Sequence, residues 1–356
     1  MKKTIALILT IALMLTLLCG CVGTTVVVGE CDHETPDTPA TEAPVLSEGA
    51  VKTGLAVVTS IADSTSATAE ADGAAKYDIT LAAVTVDDEG VIQSCIIDSV
   101  PATVSFNASG EITADLSAAV QTKNELGENY GMVAWGGAIA EWDQQVAALA
   151  AFAVGKTVEE LRNGAIDESG KAPDGSDLAS SATIYLGGYV SAIESAVANA
   201  RHLGAQAGDE LVLSTLNSIK NSTSATAEAA GNAQLDSDIV VLTRKDGIIT
   251  SCHIDSVQAK IAFDMSGTIT TDLSAPVQTK NELGENYGMV AWGGAIAEWN
   301  QQAASYAQYI TGKTAEEVAG IAITESTKPA DGSDLASSVT IAIGGFQALI
   351  AKAMQG

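Results

Sequence analysis

Asp177 and the hydroxyl residues after it form a stretch that the chain contains twice. Ser176-Asp177-Leu178-Ala179-Ser180-Ser181-Ala182-Thr183 returns as Ser333-Asp334-Leu335-Ala336-Ser337-Ser338-Val339-Thr340. A carboxylate followed by hydroxyls at a helix start is ordinary capping chemistry, in which the side-chain oxygen accepts a free backbone N–H. Capping alone gives no reason for the threonine that closes both copies. Other chemistry is scarce. No catalytic acid–base constellation is present. The histidines, His33, His202 and His253, are scattered, and no Cys/His/Asp group has metal-ligand spacing.

The elements that must position this stretch are also duplicated. Residues 53–61 and 210–216 read as strands. Residues 78–86 and 91–98 are joined by Asp87-Asp88-Glu89-Gly90, and their counterparts 238–243 and 248–255 by Arg244-Lys245-Asp246-Gly247; these turns predict hairpins. A further hairpin is expected from Thr103–Phe106 through Asn107–Gly110 to Glu111–Ala114. The block Val120–Trp142 then recurs unchanged as Val277–Trp299. Its first half, Gln121–Met132, reads as a polar, glycine-punctuated loop. Its second half enters a helix whose stripe is Trp142, Val146, Leu149 and Ala153. Thr157-Val158-Glu159-Glu160 is a capping box for the next helix. The last helix buries Leu186, Tyr189, Ile193 and Val197, answered by Ile343, Phe346, Ile350 and Met354. The threonines run straight into these last helices, where phosphate is stabilised by free N–H groups and the helix dipole. Trp135 and Trp142 read as core, and Cys95 as a small apolar filler of its strand.

The fold class is therefore α+β, with two tandem repeats, each an antiparallel meander packed with helices. The expected boundaries are 1–20 for a signal peptide, 21–52 for a tether, and 53–204 and 205–356 for the repeats.

The pattern D-x-x-S-S-A-T resembles the flavinylation sequence of FMN-binding domains. So does the upstream T-K-x-E-L-G-x-x-Y-G-M. The resemblance runs from about residue 53 to the C-terminus. It implies an FMN-binding-domain fold in each repeat, with a dedicated FMN transferase joining FMN through its phosphate to Thr183 and to Thr340. Asp177 and Asp334 would serve recognition by that enzyme, with plain N-capping as the alternative. Ser180, Ser181, Ser337 and Ser338 complete the two motifs. Ser181 and Ser338 stand where glycine is commoner, and Val339 replaces the usual alanine. Lys123 and Lys280 are candidates for the phosphate or the polar edge of the flavin, against a solvated reading. Tyr130 and Tyr287, with Met132 and Met289, are candidates to line the isoalloxazine.

Lys2 and Lys3, the apolar run Ile5–Leu18 and Leu18-Cys19-Gly20-Cys21 read as a signal peptide ending in a lipobox-like site. Cys21 would be the lipid-bearing first residue of the mature chain, on the outer face of the cell membrane; an ordinary secretory signal cut near Gly20 is the competing reading. Cys31 to about Val51, rich in Asp, Glu, Thr and Pro, reads as a self-repelling tether. The net charge of −27 points away from nucleic acid. Tandem FMN motifs behind a lipobox resemble the flavinylated lipoproteins of extracellular electron transfer in Gram-positive bacteria, whose signal peptides can also yield a pheromone. The same domain family supplies covalent-FMN subunits of sodium-pumping quinone reductases and Rnf complexes. That resemblance implies an electron carrier, not a substrate-converting enzyme, fed by a membrane quinol-linked donor and discharging to extracellular acceptors such as ferric iron. Two other readings stand beside it: a non-redox tandem surface-binding or structural lipoprotein, and a pheromone precursor. Cys21→Ser should release the protein from membranes into the medium, since a two-chain lipid is the anchor expected from the sequence. Fractionation of cells carrying that variant checks it, and unchanged membrane association would contradict the lipobox reading.

Overall fold

A computed structural model describes residues 49–355. The signal peptide, Cys21 and most of the tether lie outside the described residues. The described residues fall in one compact unit, an α+β body with two three-stranded antiparallel sheets. The first sheet is β1 (Lys52–Ser60), β2 (Gly73–Val86) and β3 (Ile92–Phe106), in that order. Short helices α1 (Lys123–Leu126) and α2 (Met132–Gly136) follow, then α3 (Trp142–Ala153), α4 (Val158–Ala165) and α5 (Gly187–Ala198). The second repeat gives β4 (Glu210–Ser218), β5 (Gly231–Lys245) and β6 (Ile248–Phe263). Its helices are α6 (Lys280–Leu283), α7 (Met289–Gly293), α8 (Trp299–Ile310), α9 (Ala315–Ala319) and α10 (Gly344–Ala353).

Two expectations change. The pair of strands expected at 91–98 and 103–106 is one continuous strand, β3, and the further hairpin is reduced to a single bridge between Phe106 and Ile112. Pro101 does not break β3 because β3 is an edge strand, where a missing N–H goes unneeded. The invariant stretch read as loop is a chain of short helical turns. Thr122 accepts from Glu125 N–H while the Glu125 carboxylate accepts from Thr122 N–H, a capping box that starts α1. A 3₁₀ turn, Gly127–Tyr130, then leads to α2.

Alternation along the middle strands explains the layering. Tyr77, Ile79, Leu81 and Ala83 enter one core cluster, whereas Ala82, Val84 and Val86 enter another with Trp142, Leu149 and Ile193. A strand buried on both faces at a period of two needs a layer on each side. Helices cover one face. The sheet of the other repeat covers the other, since Leu235, Ile239 and Val241 share the first cluster while Val240 and Leu242 pack under α8 and α10.

The two sheets meet reciprocally. Phe106 and Phe263, matching positions, stack with centroids 4.1 Å apart and planes 5° from parallel. Ala67 N–H donates to the Gly267 carbonyl at 2.8 Å, and Ala225 N–H to the Gly110 carbonyl at 2.7 Å. Ile112 N–H donates to Ser224 Oγ, and Ile269 N–H to Ser66 Oγ, both at 3.0 Å. Each contact has its mirror, as an interface between two-fold-related surfaces requires. Gly110 and Gly267 are fixed by it twice over, with φ of +70° and +69° and no room for a Cβ, which would lie 2.8 Å from Ala225 Cβ and 2.6 Å from Ala67 Cβ. Phe106→Ala should therefore destabilise the whole body by about 3–5 kcal/mol, and adding Phe263→Ala should cost less than that again, because the first change already removes the stacked partner. Chemical denaturation of the single and double variants measures both values.

Candidate functional site

Each duplicated stretch is a 3₁₀ turn, Leu178–Ser180 or Leu335–Ser337, followed by a threonine outside any helix or strand. Asp177 does not cap it. Its backbone is already helical at φ −59°, ψ −36°, and its side chain makes no capping bond; Asp334 is alike. The capping oxygen comes one residue earlier, where Ser176 Oγ accepts Ala179 N–H at 3.2 Å and Ser333 Oγ accepts Ala336 N–H at 3.3 Å. Ser180 Oγ and Ser337 Oγ donate back to the Asp177 and Asp334 carbonyls at 2.6 and 2.7 Å. Both carboxylates are exposed. Ser181 is exposed, and Ser338 is half-buried with its hydroxyl donating to the Leu335 carbonyl.

Thr183 and Thr340 do not sit at helix starts as the sequence suggests. The helices α5 and α10 begin at Gly187 and Gly344. What intervenes is one buried side chain per repeat. Gln145 Oε1 accepts Thr183 N–H at 2.8 Å, Thr183 Oγ1–H at 3.3 Å and Ile184 N–H at 3.3 Å. Gln302 receives Thr340 N–H at 2.7 Å, Thr340 Oγ1–H at 3.2 Å and Ile341 N–H at 3.2 Å. These bonds hold the threonine apart from the helix that follows, and Leu186 and Gly187 turn their amides to the Gly170 carbonyl. The amide nitrogens of Gln145 and Gln302 donate to the Ala140 and Ala297 carbonyls at 2.8 Å. Both glutamines are fully buried. One amide thus pins the threonine to the end of the invariant block. Sequence reasoning missed Gln145 and Gln302, although both repeats carry Gln-Gln just past that block, on the buried side of α3 and α8.

The block itself is clamped from below. Glu141, buried, accepts Met132 N–H at 2.8 Å and Val133 N–H at 3.0 Å, closing the start of α2; Glu298 repeats this on Met289 and Val290. Lys123 is 6% exposed, with Nζ 5.3 Å from the Tyr130 ring centroid and 5.0 Å from that of Trp142. Lys280 stands 5.3 Å from Tyr287 and 4.9 Å from Trp299. Burial pushes the Lys123 ammonium down, but the Asp78 carboxylate 3.6 Å away and the neighbouring tyrosines outweigh it and hold the pKa above the usual lysine value. The ammonium thus faces inward, to the rings and to Asp78. In the second repeat the carboxylate coupled to Lys280 is Asp238. Below the block, burial pushes the carboxyls of Asp98 and Asp255 up to about 6.

Tyr130, Met132, Tyr287 and Met289 are half-buried against the helical cores. Trp142 and Trp299 are core, but Trp135 is not. Trp135 and Trp292 are each 83% exposed, next to exposed Val133 and Ile139, or Val290 and Ile296. Their helices are too short to carry the rings inward. Each indole instead lies against a glycine whose Cβ would fall 2.2 Å (Gly131) or 2.3 Å (Gly288) from the ring. The result is an exposed apolar shelf on the same turn-rich block that Gln145 ties to Thr183. The first copy adds Tyr185, 60% exposed, its ring against Gly170 and Gly187; the second has Ala342 there. Thr327, which follows Ser326 as Gly170 follows Ser169, takes a positive φ of 58°.

Replacing Gln145 by Leu should cost roughly 1–3 kcal/mol, because it leaves the Ala140 carbonyl and the Thr183 and Ile184 amides without their partner. Amide exchange at Thr183 and Ile184 should quicken while exchange in β2 stays slow; unchanged exchange at both would mean the glutamine does not hold the segment. Among the described residues no group of three or more His, Cys, Asp or Glu is placed to hold a metal, and no helix is long and apolar enough to cross a membrane. Comparison with protein-family models, curated proteins and solved structures returned no match.

Proposed function

We propose that this chain is a membrane-anchored extracellular flavoprotein with two FMN groups, each esterified through its phosphate to a threonine, Thr183 or Thr340. It relays electrons from a membrane quinol-linked donor to extracellular acceptors such as ferric iron. The observation that carries this reading is a duplicated pair: an exposed aspartate released from capping, and a threonine hydroxyl held at a fixed place by a buried amide.

The residues present suit such a group. A carboxamide oxygen only accepts hydrogen bonds, so Thr183 Oγ1 must donate its proton to Gln145 and keep its lone pairs for an incoming phosphate. The amide cannot take the proton away, so the base comes from the FMN transferase, with Asp177 and Asp334 as its recognition points. Trp135 and Trp292 offer the exposed aromatic faces an isoalloxazine needs, and Tyr185 makes the first site richer than the second. Lys123 and Lys280 act from beneath, holding Tyr130 and Tyr287 in place. FMN, when bound, supplies the one- and two-electron chemistry, and the chain positions it and tunes its surroundings.

Intact mass after co-expression with an FMN transferase tests the assignment. The wild type should carry two FMN adducts, Thr183→Ala one, and the variant lacking both threonines none. Covalent flavin in the double variant would sink the assignment of both sites.

A further inference from the structure

The chain that follows Thr183 carries a ring that the chain following Thr340 lacks. Tyr185, two residues past the threonine, is 60% exposed. Its ring lies across two glycines. A Cβ on Gly187 would fall 2.5 Å from the phenol oxygen, and a Cβ on Gly170 would run into the ring edge. The ring therefore rests on bare backbone and keeps most of its surface in solvent.

The second copy has rebuilt this spot without a ring. Ala342 replaces Tyr185, and Thr327 replaces Gly170. Thr327 Cβ stands 2.9 Å from where a Cβ on Gly344 would lie, in the place that the tyrosine takes beside Gly187. Thr327 holds φ at +58°, a conformation that a β-branched residue rarely adopts. The two exchanges are thus one, a ring over glycine in the first copy and a threonine over glycine in the second. Around them the candidate sites agree: Gln145 and Gln302 hold the two threonines alike, and Trp135 and Trp292 are equally exposed.

We propose that Tyr185 is a stacking platform for the ring system of the group carried by Thr183, and that the second site works without one. The proposal rests on the reading of Thr183 as an FMN ester. No more than about 7 Å of chain separates the Cα atoms of Thr183 and Tyr185, within reach of a ribityl chain that starts at the threonine hydroxyl. A phenol ring with an open face attracts a second flat ring in an offset stack. Such a stack favours the oxidised, electron-poor isoalloxazine over the reduced, electron-rich one. Tyr185 therefore lowers the reduction potential of the first site and makes it a stronger electron donor than it would be without the ring.

The test uses the full-length protein with Thr340→Ala, so that the first site alone can load, and intact mass counts the adducts. Nitration of Tyr185 by tetranitromethane, read by peptide mapping, should be about two- to tenfold slower after co-expression with an FMN transferase than without it. In the loaded protein Tyr185→Ala should raise the flavin potential by the same ratio, about 9–30 mV for a two-electron couple, and Tyr185→Phe should leave it near its starting value. The reverse transplant runs in the Thr183→Ala protein, which loads at Thr340 alone. There Thr327→Gly with Ala342→Tyr should lower the potential by a like amount. One adduct at Thr183 with unslowed nitration, a potential that Tyr185→Ala does not move, or a transplant without effect would overturn the platform and leave the ester standing. No adduct at Thr183 would overturn the ester, and the platform with it.

Discussion

The body depends on one contact, the face-to-face packing of the two sheets across a pseudo-two-fold axis that passes between Phe106 and Phe263. Each middle strand buries one row of side chains against its own helices and the alternate row against the other repeat. At about 25 cal/mol per Å² of apolar surface, the second row is too large a term for either sheet to leave in water. Neither repeat therefore has a complete core alone, and both candidate sites hang from one rigid centre.

On that centre the two sites are built alike at the bottom and differently at the top. The buried glutamate and glutamine of each copy make matching bonds to matching partners, and Lys123, buried, and Lys280, half-buried, stand over matching rings. Above them the copies part. The lysine's carboxylate neighbour is Asp78 in one and Asp238 in the other, and Tyr189 accepts Trp142 Nε1–H at 2.9 Å, a bond that its counterpart Phe346 cannot make with Trp299. Tyr185 and Gly170 change together into Ala342 and Thr327, because the tyrosine ring occupies the space a Cβ at Gly170 would need. Two groups held at these sites meet different polarity, so equal chemistry at both is not built into the protein.

The sequence made much of this legible, and the failures have physical reasons. Most strand positions, the Thr157 capping box and the stripe Trp142, Val146, Leu149 and Ala153 follow from periodicity and turn chemistry, and the structure agrees with them, while Tyr189, Val197 and Met354 of the last stripes are only half-buried. The layered sandwich was hidden, since a strand buried on both faces looks the same whether helices or a second sheet cover it. Trp135 reads as core by residue type, yet a five-residue helix between left-handed glycines leaves it exposed. For Asp177 the capping alternative falls away, because its backbone is already helical and its side chain makes no capping bond, and sequence alone does not carry backbone angles. A glutamine on an apolar helix face reads as an interruption of the stripe; at Gln145 burial turns the amide into the joint of the site.

The reciprocal sheet contact has a consequence for origin and assembly. A surface that fits its own rotated copy does not need a covalent link to do so; the link only raises the effective concentration of one half around the other, to millimolar levels for short connections. The connection here is short and tightly held, with Arg201 and Ala205 bonded along β1. The arrangement is that of a homodimer whose two subunits have been joined into one chain. Once joined, the halves were free to diverge at their rims while the shared seam held them to one geometry.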